Sequence, residues 1–186
     1  MKEVNQKVKN NLFIYIMLFF SLAFIGWCFE VLNEIRKGHG FINRGVLHGP
    51  WLPIYGFGGL IIYLLLKKFK DKPLIVFSSS FIISAVIEYF TSLYLELTKG
   101  MVWWDYSKKP FNLNGRICLL YTFVFAIFAS LIYYFVIPKI IELLKKLNYK
   151  TISILSIILL CLYLTDNIYS NKYPNVVRGA HVVIKK

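Results

Sequence analysis

The stretch "LFIYIMLFFSLAFIGWCFEVL", Leu12 to Leu32, decides which solvent the chain folds in. Its only charged side chain is Glu30, and as a helix it is about 30 Å long, which matches the hydrocarbon core of a bilayer. Hydrophobic residues make up 58% of the 186 residues, and charged residues only 17%. This balance lies outside the range of soluble domains and predicts an integral membrane protein.

Similar apolar runs recur along the chain and predict one integral membrane domain over residues 1–186. We expect an all-α fold, a polytopic membrane helix bundle with about five transmembrane helices. The predicted spans are 12–32, 54–67, 74–97, 117–137 and 151–168. The second is short and opens with the helix breakers of "PIYGFGG", so a tilted, kinked or partly re-entrant segment is expected there. The first run is too long for a cleaved signal peptide and lacks a small-residue cleavage site.

Two connections, residues 38–53 and 99–116, are predicted to be structured motif loops on one face of the bundle. With five spans, the first, third and fifth helices run in the same direction. Glu30, Glu88 and Asp166 then lie about 27, 21 and 22 Å along them. All three acids fall in the half of the membrane nearer the two loops, so the polar chemistry is expected at that face.

Six residues are candidates for a polar pocket or substrate path: Glu30, Arg44, His48, Glu88, Asp105 and Arg116. Ser84, Glu88 and Ser92 are i, i+4 neighbours and form a polar stripe on an apolar helix. An ionisable group in the hydrocarbon region costs a few kcal/mol or more unless it is paired or faces water. Glu88 is therefore expected to meet a partner, with the two arginines as candidates, either as a structural salt bridge or as part of a working site.

The remaining candidate residues of the loops are predicted to be loop and interface anchors: Trp51, Tyr55, Trp103, Trp104, Tyr106 and Asn112. Tryptophan and tyrosine favour the headgroup region of a membrane. Arg116, at the start of a helix, is expected to reach back to Asp105 or across to Glu88. For His48 a proton-accepting role, a phosphate or carboxylate ligand role and a purely structural loop role all stay open.

The net charge of +13 would suggest a nucleic-acid partner in a soluble protein. Here the lysines cluster beside the ends of apolar segments, where they meet anionic lipid headgroups. The predicted partner is therefore the lipid bilayer, and no nucleic-acid partner is predicted. The three cysteines have no metal-like spacing, and no metal site or cofactor is predicted. Lysines and arginines divide evenly between the two sides, but the shorter loops favour a cytoplasmic N-terminus in a bacterial plasma membrane.

Four segments of the sequence resemble those of a known family: "GWCFEVL" from Gly26, "INRGVLHGPWLPIYGFG" from Ile42, "EYFTSLYLEL" from Glu88 and "WWDYSKKPFNLNGRICL" from Trp103. They resemble the small bacterial integral membrane proteins classified as "putative ABC-transporter type IV" permeases. The resemblance implies a membrane-transport component, and it implies neither a substrate nor a catalytic residue.

The first functional hypothesis is therefore an ABC-type permease subunit for a small polar or charged solute. The sequence has no G-x-x-x-x-G-K-[ST] phosphate loop, so the ATPase must be a separate subunit. "PKIIELLKKLNYK" would dock it through an apolar face or would lie on lipid, and a homo-oligomer or a second membrane subunit is expected because the helices are few.

Two further hypotheses stay open. One is an intramembrane enzyme acting on lipid or cell-envelope precursors, with His48, Glu88 and Asp105 as acid and base groups and Arg44, Arg116 or Lys108 holding a phosphate. The other is a non-catalytic membrane subunit or sensor, in which the polar residues only hold the helices in register. The lack of a nucleophile beside a base, or of a metal-binding pattern, makes an enzyme the weaker of the predictions.

Overall fold

The computed structural model describes residues 2–176 and 181–182, with side chains described from 11 to 176. Within these residues the helices are α1 (Lys2–Arg36), α2 (Pro53–Leu66), α3 (Pro73–Lys99), α4 (Leu119–Leu131), α5 (Ile137–Lys145) and α6 (Tyr149–Lys172). Two antiparallel pairs of two-residue strands complete the fold: β1 (Met101–Val102) with β4 (His181–Val182), and β2 (Asn112–Leu113) with β3 (Ile117–Cys118).

Four stretches of the described chain are long and apolar enough to cross a bilayer: Asn11–Arg36, Pro73–Lys99, Leu119–Lys145 and Tyr149–Lys172. The all-α, polytopic membrane fold is thereby confirmed. The second predicted span, 54–67, is helical at nearly the predicted bounds, but α2 has 14 residues and is about 21 Å long. It cannot cross about 30 Å of hydrocarbon by itself, so the described residues hold four full-length spans and one short helix, close to the predicted five.

The short α2 follows from the path of the chain before it. The amide of Leu52 donates a hydrogen bond to the carbonyl of Ala23 at 3.0 Å. Ala23 lies about 20 Å before the end of α1 at Arg36, so residues 37–52 fold back along α1 before α2 begins. Pro53 then occupies the first turn of α2, where a missing amide hydrogen costs nothing.

Glycines allow α1 and α2 to pack closely. A Cβ atom on Gly26 would lie 2.3 Å from the ring of Tyr55, and one on Gly56 would lie 2.7 Å from the ring of Phe19. Small residues at a helix interface let backbones approach in this way, which is a common device in membranes. The "GFGG" of the second predicted span is thus a packing surface of a real helix.

A continuous helical rod follows α3. Gly100 ends α3 in the left-handed conformation, with φ of 64°, which glycine adopts without strain. After the β2–β3 hairpin, α4 continues through a π-helical turn, Ile132–Val136, into α5. Pro138 has no amide hydrogen to give to the preceding turn, and the wider π form occurs where the regular ladder is interrupted.

Packing of the helix ends defines two faces of the bundle. Tyr63, near the end of α2, packs against Tyr15 with ring centroids 6.4 Å apart, and Leu144 and Ile152 form one apolar cluster with Ile14. The turns 67–72 and 146–148 therefore lie at the end where the membrane span of α1 begins, which we call the lysine face. The opposite end, the loop face, holds the first motif loop (37–52) and the second motif loop (100–118).

Candidate functional site

The two motif loops are joined by the segment that follows α6. The side-chain amide of Asn175 donates to the carbonyls of Asn43 and Gly45 at 2.9 and 3.0 Å, and its backbone amide donates to Val46 at 2.9 Å. From the second loop, the indole of Trp103 donates to the carbonyl of Asn175 at 3.3 Å. Asn175 thus donates hydrogen bonds to backbone carbonyls of the first motif loop, which forms no helix or sheet that could satisfy them.

Asp166, near the end of α6, fastens the first motif loop to the bundle. Its carboxylate accepts hydrogen bonds from the amides of His48 and Gly49 at 3.0 and 2.8 Å, and from the indole of Trp51 at 2.7 Å. Charge-assisted bonds of this kind are about twice as strong as neutral ones. Trp51, predicted to be an interface anchor, is therefore bonded into the protein interior through its N–H group.

His48 also contacts α6, but through a serine. Its Nδ1 lies 2.9 Å from the hydroxyl of Ser170, and that hydroxyl donates to Asp166 at 2.9 Å. An ionised carboxylate can only accept, so the hydroxyl of Ser170 gives its proton to Asp166 and accepts from Nδ1 when that nitrogen is protonated. Ser170 is only 1% exposed. The trio thus holds the first motif loop against α6.

Glu30 of α1 lies among residues from three parts of the chain. It accepts a hydrogen bond from the hydroxyl of Tyr55 at 2.7 Å, and its other oxygen lies 3.6 Å from Nε of Arg44. Both charged side chains are about one-fifth exposed. Arg44, predicted to be a partner of Glu88, is therefore drawn to Glu30, and Tyr55 is an internal hydrogen-bond donor of α2.

Glu88 of α3 is 5% exposed and meets the second motif loop. One of its oxygens accepts a hydrogen bond from the hydroxyl of Tyr106 at 3.1 Å. Among the residues that the structure describes, the other oxygen, Oε2, has no hydrogen-bond partner. Glu30 lies within electrostatic range of Glu88. A buried acceptor without a donor carries the full cost of its desolvation.

Tyr106, predicted to be an anchor, covers Glu88 from the loop. Burial, together with the charge of Glu88 and the hydrogen bond to it, raises the pKa of Tyr106 well above its ordinary value. The ring of Tyr106 stacks on Tyr121 of α4 with centroids 5.0 Å apart. The phenol thus stays a neutral donor and links the loop to both α3 and α4.

Arg116 binds α3 at a different acid from those predicted. It forms an ion pair with Glu96, donates to the hydroxyl of Ser92 at 3.2 Å, and lies 5.8 Å from the ring centroid of Tyr89. Its carbonyl accepts from the indole of Trp104 at 2.9 Å. The expectation that Arg116 pairs with Asp105 or Glu88 is corrected, because the loop enters beside the last turns of α3 rather than beside its middle.

Asp105 and Asn112 shape the second motif loop from inside. Asp105 accepts from the amide and the hydroxyl of Ser107 at 2.8 and 3.0 Å. Asn112 donates to the carbonyl of Lys109 at 2.8 Å and accepts from the amide of Gly115 at 3.0 Å. Such side-chain bonds to nearby backbone are typical of tight turns. Trp103, predicted to be a loop and interface anchor, is buried against Leu95 and so holds the second motif loop against α3.

Sequence reasoning missed residues that complete these contacts. Glu96 follows Ser84, Glu88 and Ser92 at the same interval of four, so extending the polar stripe by one turn would have included it. Asp166 was placed at the correct end of the bundle but was not selected for the site. Asn175 lies in the weakly patterned C-terminal stretch and gave no signal.

Two surface cavities of the described structure lie outside the predicted polar pocket. A surface cavity of about 360 Å³ is lined by Val86, Ile87, Phe90, Thr91 and Tyr94 of α3. A second cavity of about 210 Å³ lies between α3, α4 and the second motif loop. Neither is lined by the candidate acids or arginines. Among those side chains Glu30 contacts Arg44, Glu88 accepts from Tyr106 and Arg116 pairs with Glu96, so each has a partner inside the protein.

Apolar helices of spanning length, with charged side chains enclosed between them and two folded loops, define a multi-pass membrane protein. The family model described as "Putative ABC-transporter type IV" matches residues 17–171, and the chain belongs to this ABC-transporter-related family. No curated protein and no solved structure is significantly similar to the chain.

Proposed function

We propose that the chain is the membrane-spanning subunit of an ABC-type transporter for a small polar or charged solute. The observation that carries the proposal is Glu88, a carboxylate enclosed in an apolar helix with Oε2 left without a partner among the described residues. Ionisable groups are retained inside membrane helices mainly along substrate and ion paths. A donor group of a solute would satisfy this oxygen.

The surroundings of Glu88 support a path that opens by movement of a loop. Tyr106 covers the carboxylate from the second motif loop, and Arg116 fastens that loop to α3 through Glu96. On the other side, Glu30 and Arg44 form a second charged pair. Lifting the second motif loop would open these charged side chains to the loop face without unfolding a helix.

A separate ATPase chain is part of the proposal, because the sequence has no phosphate loop of its own. The predicted docking helix is α5 with the turn after it, but much of its apolar face packs inward: Leu144 is buried against Ile14. Leu143 is 62% exposed, among exposed lysines, and is the part of this surface that stays available. A second copy or another membrane subunit would complete the pathway, since the bundle is small.

We place the transporter in a bacterial plasma membrane with a cytoplasmic N-terminus. The lysine face then lies inside, in agreement with the tendency of cationic loops to stay in the cytoplasm. The ATPase would meet the lysine face, and the loop face would receive or release the solute outside.

The test combines purification with transport. The protein is purified from its native membrane with associated chains, reconstituted in vesicles, and assayed for uptake driven by ATP. The Glu88→Gln variant should lose uptake while still associating with the ATPase, whereas Thr165→Val, which changes an exposed polar side chain of α6 bonded to the carbonyl of Cys161 in its own helix, should retain uptake. Failure to find an associated ATPase and ATP-dependent uptake would contradict the proposal.

The contacts of Glu30, Glu88 and Arg116 with partners inside the protein favour a second candidate, a non-catalytic membrane subunit or sensor. In that case the charges only hold helices and loops together. Exchanging the partners of the Arg116–Glu96 pair would then preserve both stability and function, whereas a solute path would lose function even where stability returns. The enzyme hypothesis gains no support, because His48 and Asp105 bond to Ser170 and Ser107 rather than to Glu88.

A further inference from the structure

An apolar groove lies where the second motif loop meets α3 and α4. Phe81 and Ala85 of α3 form one wall, and Phe111 and Leu113 of the loop form the other. The floor is made by the buried residues Cys118 and Thr122. Its volume is about 210 Å³ and it opens to the surface, so a flexible hydrocarbon chain can enter it from the side.

The loop wall of this groove is unusually apolar for an exposed loop. Phe111 is 82% exposed and Leu113 is 55% exposed. Phe111 also has a positive φ of 51°, which is uncommon for a bulky residue. Its carbonyl accepts a hydrogen bond from the amide of Leu119 at 3.1 Å. The loop is therefore held so that an exposed phenylalanine stands beside the first turn of α4.

Two lysines precede this wall directly in the sequence. Lys108 and Lys109 are exposed, and Nζ of Lys109 lies 5.9 Å from the ring centroid of Tyr121 in the first turn of α4. Within the described residues neither ammonium group forms an ion pair. The other cation of the loop, Arg116, is paired with Glu96, so the exposed positive charge of this loop is carried by the two lysines that precede Phe111 by two and three residues.

We propose that this groove is a binding site for an anionic phospholipid, with one acyl chain between α3 and the 111–113 wall and the headgroup phosphate at Lys108 and Lys109. The apolar walls would contact the acyl chain of the lipid. The two lysines would attract its phosphate, which lysine binds as a point charge. The combination selects a bilayer lipid over free phosphate, because free phosphate makes no use of the walls. This site is separate from Glu88 and does not depend on solute transport.

The probe is phosphatidylglycerol, with phosphatidylcholine as the uncharged-headgroup comparison. The full chain in detergent is incubated with equal amounts of both, and retained lipid is counted by native mass spectrometry. Wild-type protein should retain phosphatidylglycerol preferentially. In the variant Lys108→Gln/Lys109→Gln the retained phosphatidylglycerol should fall at least about fivefold. In Lys67→Gln/Lys68→Gln, an exposed pair on the lysine face, it should change less than about twofold.

Equal retention of the two lipids by the wild type, or an equal loss in both lysine variants, would overturn the proposal. A second measurement does not rely on variants that change charge. A photoreactive benzoylphenylalanine at Leu113 should crosslink to lipid acyl chains when the protein sits in vesicles containing phosphatidylglycerol. The same residue placed at Leu143 should give no preference for this lipid, and a lack of preference at Leu113 would also count against the site.

Discussion

Arg116 of the second motif loop and Glu96 of α3 form an ion pair whose side chains are 14% and 26% exposed. The same guanidinium donates to Ser92, one helical turn earlier. Because Arg116 immediately precedes the strand that leads into α4, this contact fixes where the loop ends and where α4 begins. The position of Tyr106 over Glu88 depends on that fixed loop.

Removing either member of this pair should destabilise the protein. Arg116→Ala or Glu96→Ala leaves a mostly buried charge without its partner, at a cost of about 1–3 kcal/mol. The measurement is the unfolding temperature of the purified protein in detergent. Arg116→Glu/Glu96→Arg should recover part of the loss. The exposed Lys146–Glu142 pair is the control, since its removal should change stability little; equal losses for both pairs would contradict the expected role of burial.

Loss of the Asp166 carboxylate should loosen the first motif loop. In Asp166→Asn one oxygen becomes a donor, so the amides of His48 and Gly49 and the indole of Trp51 can no longer all find an acceptor. Hydrogen exchange followed by mass spectrometry should show faster exchange over residues 45–52 than in the wild type. Asp71→Asn, in an exposed turn, should leave that segment unchanged, and protection that persists in Asp166→Asn would rule out the anchoring role.

The helices could be predicted from the sequence because their signal is local. Long apolar runs specify spanning helices at a fixed rise per residue, so α3, α6 and the membrane span Asn11–Arg36 within α1 begin and end close to the predicted residues. The length of α2 could not be predicted in the same way. It depends on how far the first motif loop folds back, as the contact of Leu52 with Ala23 shows, and that path is a property of tertiary packing.

Only part of the candidate site could likewise be predicted from the sequence. Helical rise placed Glu30, Glu88 and Asp166 at one end of the bundle without any knowledge of the loops. Their partners could not be derived, because a bond such as that from Trp51 to Asp166 joins residues 115 positions apart. Charge alone suggested Arg116 for Glu88, whereas the path of the loop gives it Glu96. The sequence thus shows which side chains are able to pair, but which of them contact each other depends on the fold.

Close packing of α1 on α2 should be sensitive to a single methyl group. Gly26→Ala would place a Cβ 2.3 Å from Cγ of Tyr55, which forces the ring away from Glu30 and costs about 1–3 kcal/mol by overpacking. The unfolding temperature should fall. Gly58→Ala is a matched control on α2, where the nearest atom, on Ile87, lies 3.8 Å away. If both substitutions lower the unfolding temperature equally, a general glycine effect rather than the Tyr55 contact explains the loss.

The proposed orientation can be tested with single cysteines. In a background where Cys28, Cys118 and Cys161 are replaced by serine, Lys108→Cys reports the second motif loop and Asp71→Cys reports the turn on the lysine face. Both positions are exposed. With a cytoplasmic N-terminus, a membrane-impermeant thiol reagent should label Lys108→Cys in intact cells with the outer membrane opened, and Asp71→Cys only after lysis. The reverse pattern would place the N-terminus outside, and labelling of both from outside would contradict the crossing of the membrane by α3, which lies between Asp71 and Lys108.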